Sequence, residues 1–84
     1  MNRYRRSILK TIVESLSKIS EELRDVIDEE TDAYENMPDN LKDGERGSSS
    51  SDAIDYLEDA SSSLDDIIDT INEAIDCSYI PLEK

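Results

Sequence analysis

Carboxylates are the side chains with which this chain could do chemistry. Its 84 residues include 22 Asp and Glu but only nine Lys and Arg, which gives a formal net charge of −13. There is no His, so the chain cannot build a Ser-His-Asp triad, a Cys-His dyad or a His-based metal site. The single Cys cannot form an intrachain disulfide, as is typical of a reducing compartment.

The carboxylates do not match the patterns of known carboxylate sites. Asp39 and Asp43-Gly44 partly resemble the start of an EF-hand calcium loop, but Leu41 and Ser50 occupy positions that need oxygen ligands and a Glu. Di-iron bundles need Glu-x-x-His motifs, and glycosidase carboxylate pairs need a pocket that a thin helical hairpin does not offer. We therefore predict no catalytic residue, no metal site and no cofactor, and we expect the protein not to be an enzyme.

The first element that must position these acids is a long helix over about residues 2–36. Leu9, Leu16 and Leu23 fall seven residues apart at heptad positions a, and Ile12, Ile19 and Val26 follow three residues after each at positions d. Pro38 follows Asn36 by two residues and disfavours the helical conformation of the residue before it, so the helix is expected to end at about Asn36.

A loop is predicted over about residues 37–51, because this segment contains both glycines, one proline and a serine run. A second helix is predicted over about residues 52–77, with Ser49 and Asp52 as its capping residues. Its a positions are Leu57, Leu64 and Ile71, and its d positions are mostly Ala. Residues 78–84 are predicted to form a short tail of a single helical domain spanning 1–84.

This pattern predicts an all-α fold, a two-helix antiparallel coiled-coil hairpin. The e positions are also partly apolar, which makes the stripe wider than two helices need to cover each other. We therefore expect self-association, most simply a homodimer of hairpins forming a four-helix bundle, although a host protein could cover the same strip. The residues predicted to mediate self-association are Val13, Ile27, Tyr34, Ile54, Ile68 and Ile75.

The charges are distributed unevenly along the chain. Residues 1–18 carry five bases and one acid, whereas residues 50–77 carry nine acids and no base. In an antiparallel hairpin the basic start of helix 1 lies beside acids of helix 2, so the acids at the loop end have the least neutralisation. The predicted acidic partner-binding face consists of Asp25, Asp28, Glu29, Asp32, Glu35, Asp39 and Asp43.

An acidic helical rod can imitate nucleic acid. Some twenty acids on a rod of roughly 50 Å approach the charge density of duplex DNA, which carries one charge per ~1.7 Å. Such a rod could occupy the basic groove of a nucleic-acid-binding protein. The alternative interpretation is that the acids form a solvated face that keeps an apolar bundle soluble. The net charge argues against nucleic acid and anionic membrane as direct partners.

The segment around the helix 1 exit resembles a known protein group. The segments Asp32–Leu41, Glu45–Gly47 and Ala53–Ala60, together with the basic opening Asn2–Arg6, are similar to small acidic helical proteins of phages and mobile elements of Gram-positive bacteria, most of which lack an assigned function. The Ser61-Ser62-Ser63 run departs from that group. The resemblance implies a phage setting, in which small acidic proteins often inhibit host defence or nucleic-acid enzymes, anti-CRISPR proteins among them.

The sequence thus predicts a phage-type acidic protein that binds and inhibits a basic, nucleic-acid-binding host protein or a defence nuclease. The alternative function is a structural or adaptor coiled coil without an inhibitory role. An antitoxin-like partner of a basic toxin is a third class that the sequence does not separate from the first. The expected location is the cytoplasm of the bacterial host, because no targeting signal or membrane-spanning run is evident.

Overall fold

The computed structural model describes residues 1–78, which form three helices. They are α1 (Arg3–Glu35), α2 (Asp39–Lys42) and α3 (Glu45–Ser78). The two long helices pack against each other, so the all-α hairpin is confirmed. The tail predicted for residues 78–84 lies outside the described residues, except that Ser78 ends α3.

Helix α1 has the ends that its sequence predicts. The side-chain Oδ1 of Asn2 accepts a hydrogen bond of 2.8 Å from the backbone N–H of Arg5, which caps the first turn. At the other end the N–H of Asn36 still bonds to the carbonyl of Asp32. Pro38 then stops the chain from continuing as one helix, because its ring excludes the helical conformation for the residue before it.

The second long helix begins earlier than predicted. The predicted loop over 37–51 contains α2 and the first turns of α3, which starts at Glu45 and not near residue 52. Ser49 and Asp52 therefore lie inside the helix and do not cap it. The backbone N–H of Ser48 bonds to the carbonyl of Gly44, which places Gly44 directly before the helix. Glu45 is in the first turn of the helix, where a carboxylate interacts favourably with the positive end of the helix dipole.

The close approach of α2 explains why α3 has a glycine at position 47. Gly47 is buried, and a Cβ added there would overlap the backbone Cα and carbonyl of Lys42 at the end of α2. A Cβ on Gly44 would meet only ordinary contacts, the nearest being the carbonyl oxygen of Asn40 at 3.6 Å. The absence of a side chain at Gly47 therefore lets α2 fold closely against the start of α3.

The long helices run antiparallel and bury their a and e positions against each other. Ile27 and Ile75, both at e, are only 8 % exposed, and the e-position serines Ser20 and Ser61 are also buried. The d positions Ile19, Val26 and Ile67 are 50 %, 51 % and 49 % exposed. The seam is therefore a/e, where the sequence predicts a/d.

This seam corrects two of the six predicted self-association residues. Ile27 and Ile75 are buried within one chain, and Val13, Tyr34, Ile54 and Ile68 are half-buried beside them. The physical reason lies in α3, whose e positions hold three Ile while three of its four d positions are Ala. Packing a with e hides more apolar area than packing a with d. Ile27 and Ile75 therefore belong to the intrachain core, and self-association through the other four residues stays a prediction.

The resulting molecule is a rod, with Cα extents of 67 × 15 × 13 Å. Two helices in contact give no room for an enclosed core, and no large side chain is fully buried in the described part of the chain. Over residues 1–78, no helix is long and apolar enough to cross a bilayer.

Candidate protein-binding surface

Eight of the nine acids of α1 lie on its outward side. Their heptad positions are c, f and g, which point away from the a/e seam. All of the predicted α1 residues are exposed, and they are Asp25, Asp28, Glu29, Asp32 and Glu35. Spacings of three and four residues place them in a continuous acidic ridge along the second half of the helix.

The short helix α2 extends this ridge around the loop end. Its Asp39 and the following Asp43 are both exposed, as the sequence predicts. The Nζ atom of Lys42 lies 5.3 Å from the centre of the Tyr34 ring, a cation–π contact that ties α2 to the end of α1. The structure therefore brings the seven predicted acidic residues to one end and one side of the rod.

Helix α3 carries a second acidic ridge, which the predicted binding face does not include. Its members occupy c and f positions, all are exposed, and no basic residue interrupts them. They are Asp52, Asp55, Asp59, Asp66, Asp69, Glu73 and Asp76. The acidic c/f pattern of α3 is visible in the sequence, whereas the predicted binding face covers the loop end alone. The hairpin thus carries one ridge along each outer flank.

Between the ridges, on one face of the hairpin, a cluster of polar side chains joins α1 to α3. The Arg24 Nη2 atom lies 3.0 and 2.8 Å from the two carboxylate oxygens of Asp65, and the Ser20 hydroxyl donates to the same carboxylate at 3.2 Å. Arg24 and Asp65 both occupy b positions, and both are about half exposed. The b positions of the two helices therefore share one face, which we call the b face.

A second cross-helix contact involves an acid inside the seam. Glu30 occupies an a position and is half-buried, and its Oε2 accepts a hydrogen bond of 2.7 Å from the hydroxyl of Ser50. A half-buried carboxylate is costly without a donor, so Ser50 satisfies a group that interrupts the apolar stripe. Glu30 is therefore structural and does not belong to the outward acidic ridge.

The depressions on the rod are open and shallow. The one between α1 and α3 near Arg24 is lined by Ser17, Ser20, Glu21, Asp65, Ile68 and Asp69. Among residues 1–78, no three acidic or Cys side chains converge in a way that could hold a metal ion. The described part of the surface can therefore present charge to a large partner, and the depressions found there are too open to enclose a small substrate. Comparison with protein-family models, curated proteins and solved structures gave no match.

Proposed function

We propose that this protein is an acidic binding protein that occupies and inhibits the basic nucleic-acid site of a protein partner. The observation that carries the proposal is the pair of exposed acidic ridges on the two flanks of a rigid helical rod. Each ridge holds carboxylates in a fixed row, as a nucleic-acid strand holds its phosphates.

The charge spacing supports this proposal. The seven c/f acids of α3 extend over about 36 Å of helix, since each residue adds ~1.5 Å. That is one charge per roughly 5–6 Å, compared with one per 3.4 Å along a single DNA strand. The difference is less than a factor of two, and no base interrupts the row.

The charge also suits fast association with a basic partner. A surface of one sign steers an oppositely charged protein during encounter and raises the association rate. The basic start of α1 weakens the field at one end of the rod, while the loop end carries Asp39 and Asp43 next to the α1 ridge. The loop end should therefore meet the partner first.

The resemblance of the Asn36–Leu41 and Glu45–Gly47 segments supports a phage or mobile-element setting for this activity. In such a setting the partner is a host nucleic-acid-binding protein or a defence nuclease. Gly47 gives this segment a structural role, since the close contact with Lys42 needs a residue without a side chain.

The experiment is capture of the partner by immobilised protein from a bacterial host extract, followed by elution with duplex DNA. We expect a basic nucleic-acid-binding protein that leaves the column with DNA and with raised salt. We also expect the purified partner to lose DNA binding or cleavage when the hairpin is added. A partner that resists both DNA and salt would contradict the proposal.

An adaptor or scaffold function without inhibition is the second candidate, and the exposed d-position side chains favour it. Ile12, Ile19 and Val26 remain accessible along α1 although they are large and apolar. An adaptor would bind through such apolar positions. Its binding would be insensitive to charge reversal on the ridges, which separates the two functions.

We also propose that two hairpins pair into a four-helix bundle. The chain of 9.5 kDa exposes 6395 Å², whereas a compact monomer of this mass exposes about 5,000 Å². Only two apolar side chains in the described residues are buried, Ile27 and Ile75. Pairing would supply the apolar burial that the single hairpin lacks.

A further inference from the structure

The d positions of both long helices lie on the same side of the hairpin. Viewed from one end of the hairpin, the heptad positions run clockwise around one helix and anticlockwise around its antiparallel neighbour. The same heptad letter on the two helices therefore lies on the same face of the hairpin. The Arg24–Asp65 ion pair demonstrates this for the b positions, which share the b face. The d positions flank the seam on the opposite side, and we call that side the d face.

The d face of α3 is free of charge. Nine acids lie between residues 52 and 76, and all of them occupy b, c or f positions. The d and g positions of the same stretch hold only apolar, hydroxyl and thiol side chains. They are Ala53, Tyr56, Ala60, Ser63, Ile67, Thr70, Ala74 and Cys77. A helix this acidic that lacks charge along one whole side is suited to bury that side.

Helix α1 contributes the larger apolar groups of the d face. Ile12, Ile19 and Val26 are each 40 % or more exposed, as is Ile8 at the neighbouring g position. From residue 5 to residue 33 the face is about 42 Å long, and two helices make it about 20 Å wide. That is roughly 840 Å², close to the ~800 Å² that each partner contributes to a standard stable interface.

We propose that the d face binds a second copy of this chain, in an antiparallel arrangement that places α1 against α1. This inference rests on the pairing described under the proposed function and adds its face and orientation. The two-fold axis passes at the level of Ile19 and Ile67. These two residues lie at the same height, since the adjacent Ser20 contacts Asp65.

The apolar pattern is symmetric about that level. Ile12 and Val26 lie seven residues on either side of Ile19, so Ile12 of one copy meets Val26 of the other. On α3, Ala60 lies seven residues before Ile67, and a small Ala at that position allows close approach of the second copy. A two-fold axis at this level therefore matches large residues with large ones along α1.

The charges favour the antiparallel orientation over the parallel one. Residues 1–18 carry a net charge of +4, while the rest of α1, residues 19–35, carries one base and eight acids. An antiparallel dimer places the basic half of each α1 against the acidic half of the other. A parallel dimer would bring the two acidic loop ends together, which costs electrostatic free energy.

A charge exchange tests the orientation. Arg5 at a d position and Glu29 at a g position border the d face at opposite ends of α1, about 36 Å apart within one chain. In the proposed dimer Arg5 of one copy lies level with Ala33 of the other, one helical turn or about 6 Å from Glu29, which its long side chain can approach. Arg5→Glu and Glu29→Lys should each weaken the dimer about tenfold, because the symmetric interface contains the pair twice.

The double variant, Arg5→Glu with Glu29→Lys, should recover the wild-type dimer dissociation constant in analytical ultracentrifugation. Arg3→Glu combined with Glu29→Lys is the matched control and should not recover it, because Arg3 lies on the b-face side of the helix. Circular dichroism establishes that each variant is folded. No recovery in the double variant of a folded dimer overturns the antiparallel d-face arrangement.

Disulfide trapping provides a second readout in a Cys77→Ser background. A chain with Ile12→Cys, mixed with a differently tagged chain with Val26→Cys, should form the mixed disulfide in preference to either homodisulfide. Absence of the mixed species in a dimer would overturn the register. A wild-type chain that sediments as a monomer would overturn the pairing itself, and neither result bears on binding of a basic partner by the acidic ridges.

Discussion

Ser50 donates a 2.7 Å hydrogen bond to the carboxylate of Glu30, and this contact joins the first turns of α3 to the last turns of α1. Glu30 interrupts the apolar a positions of α1, and Ser50 belongs to a serine run that is predicted from the sequence to be a loop. The contact makes both residues compatible with a continuous seam. It also extends the hairpin beyond the purely apolar part of the heptad pattern.

Replacing Ser50 with Ala should lower the free energy of unfolding by about 1–2 kcal/mol, because the half-buried Glu30 carboxylate loses its hydrogen-bond donor. Urea unfolding followed by circular dichroism measures this change. Ser49→Ala is the matched control, since Ser49 is exposed on the same turn, and it should change stability by less than about 0.5 kcal/mol. Equal effects of the two substitutions would mean that the contact with Glu30 contributes nothing.

Replacing Gly47 with Ala should destabilise the junction between α2 and α3, because the new methyl group would overlap the backbone of Lys42. The expected loss is about 1–3 kcal/mol, the usual cost of forcing extra atoms into a packed site. Gly44→Ala is the control and should cost less, about 0.5–1 kcal/mol, since its Cβ meets only ordinary contacts and the change only makes the residue before α3 a poorer N-cap. Thermal unfolding of both variants checks the prediction; a Gly47 variant as stable as the Gly44 variant would contradict it.

Added salt should stabilise the fold. The two ridges place many carboxylates along one rod with few bases, so self-repulsion opposes the folded state. Raising ionic strength from about 0.01 to 0.15 M shortens the Debye length from ~30 to ~8 Å and screens that repulsion. The melting temperature should therefore rise over this range. A clear fall would show that ion pairs such as Arg24–Asp65 dominate the electrostatics, in conflict with the description of the acids as an exposed and largely unneutralised surface.

The start and end of α1 could be predicted because their signals are local. Asn2 caps the first turn with its own side chain, and Pro38 stops the helix whatever surrounds it. The start of α3 could not be predicted in the same way. Gly47 counts as a helix breaker in isolation, and only the contact with Lys42 shows why a glycine belongs there.

The choice of seam also lay beyond the sequence pattern. Apolar residues occupied a, d and e, and periodicity alone does not say which two of the three face the partner helix. The structure buries Ile27 and Ile75 at e and leaves Ile19 and Ile67 at d exposed. The wide stripe correctly indicated surplus apolar surface, but the surplus lies at d. The exposed acids of α1 were predictable, since outward positions follow from the heptad whichever seam is chosen.

The central claim is that the acidic ridges bind a basic nucleic-acid-binding partner through charge. The most direct test uses Asp28→Lys, Asp32→Lys and Glu35→Lys together, which changes the charge by six units at exposed positions and leaves the a/e seam intact. A matched variant with Asp59→Lys, Asp66→Lys and Asp69→Lys does the same on α3. Circular dichroism should show both variants folded, because exposed substitutions usually cost little stability.

The measurement is the association rate of the captured partner on immobilised protein at two salt concentrations. We expect the α1 variant to associate roughly tenfold or more slowly than wild type at low salt, with a smaller difference at high salt, because steering charges act on the on-rate. The α3 variant should also associate more slowly than wild type at low salt. Unchanged association rates for both folded variants at both salt concentrations would contradict recognition through the acidic ridges.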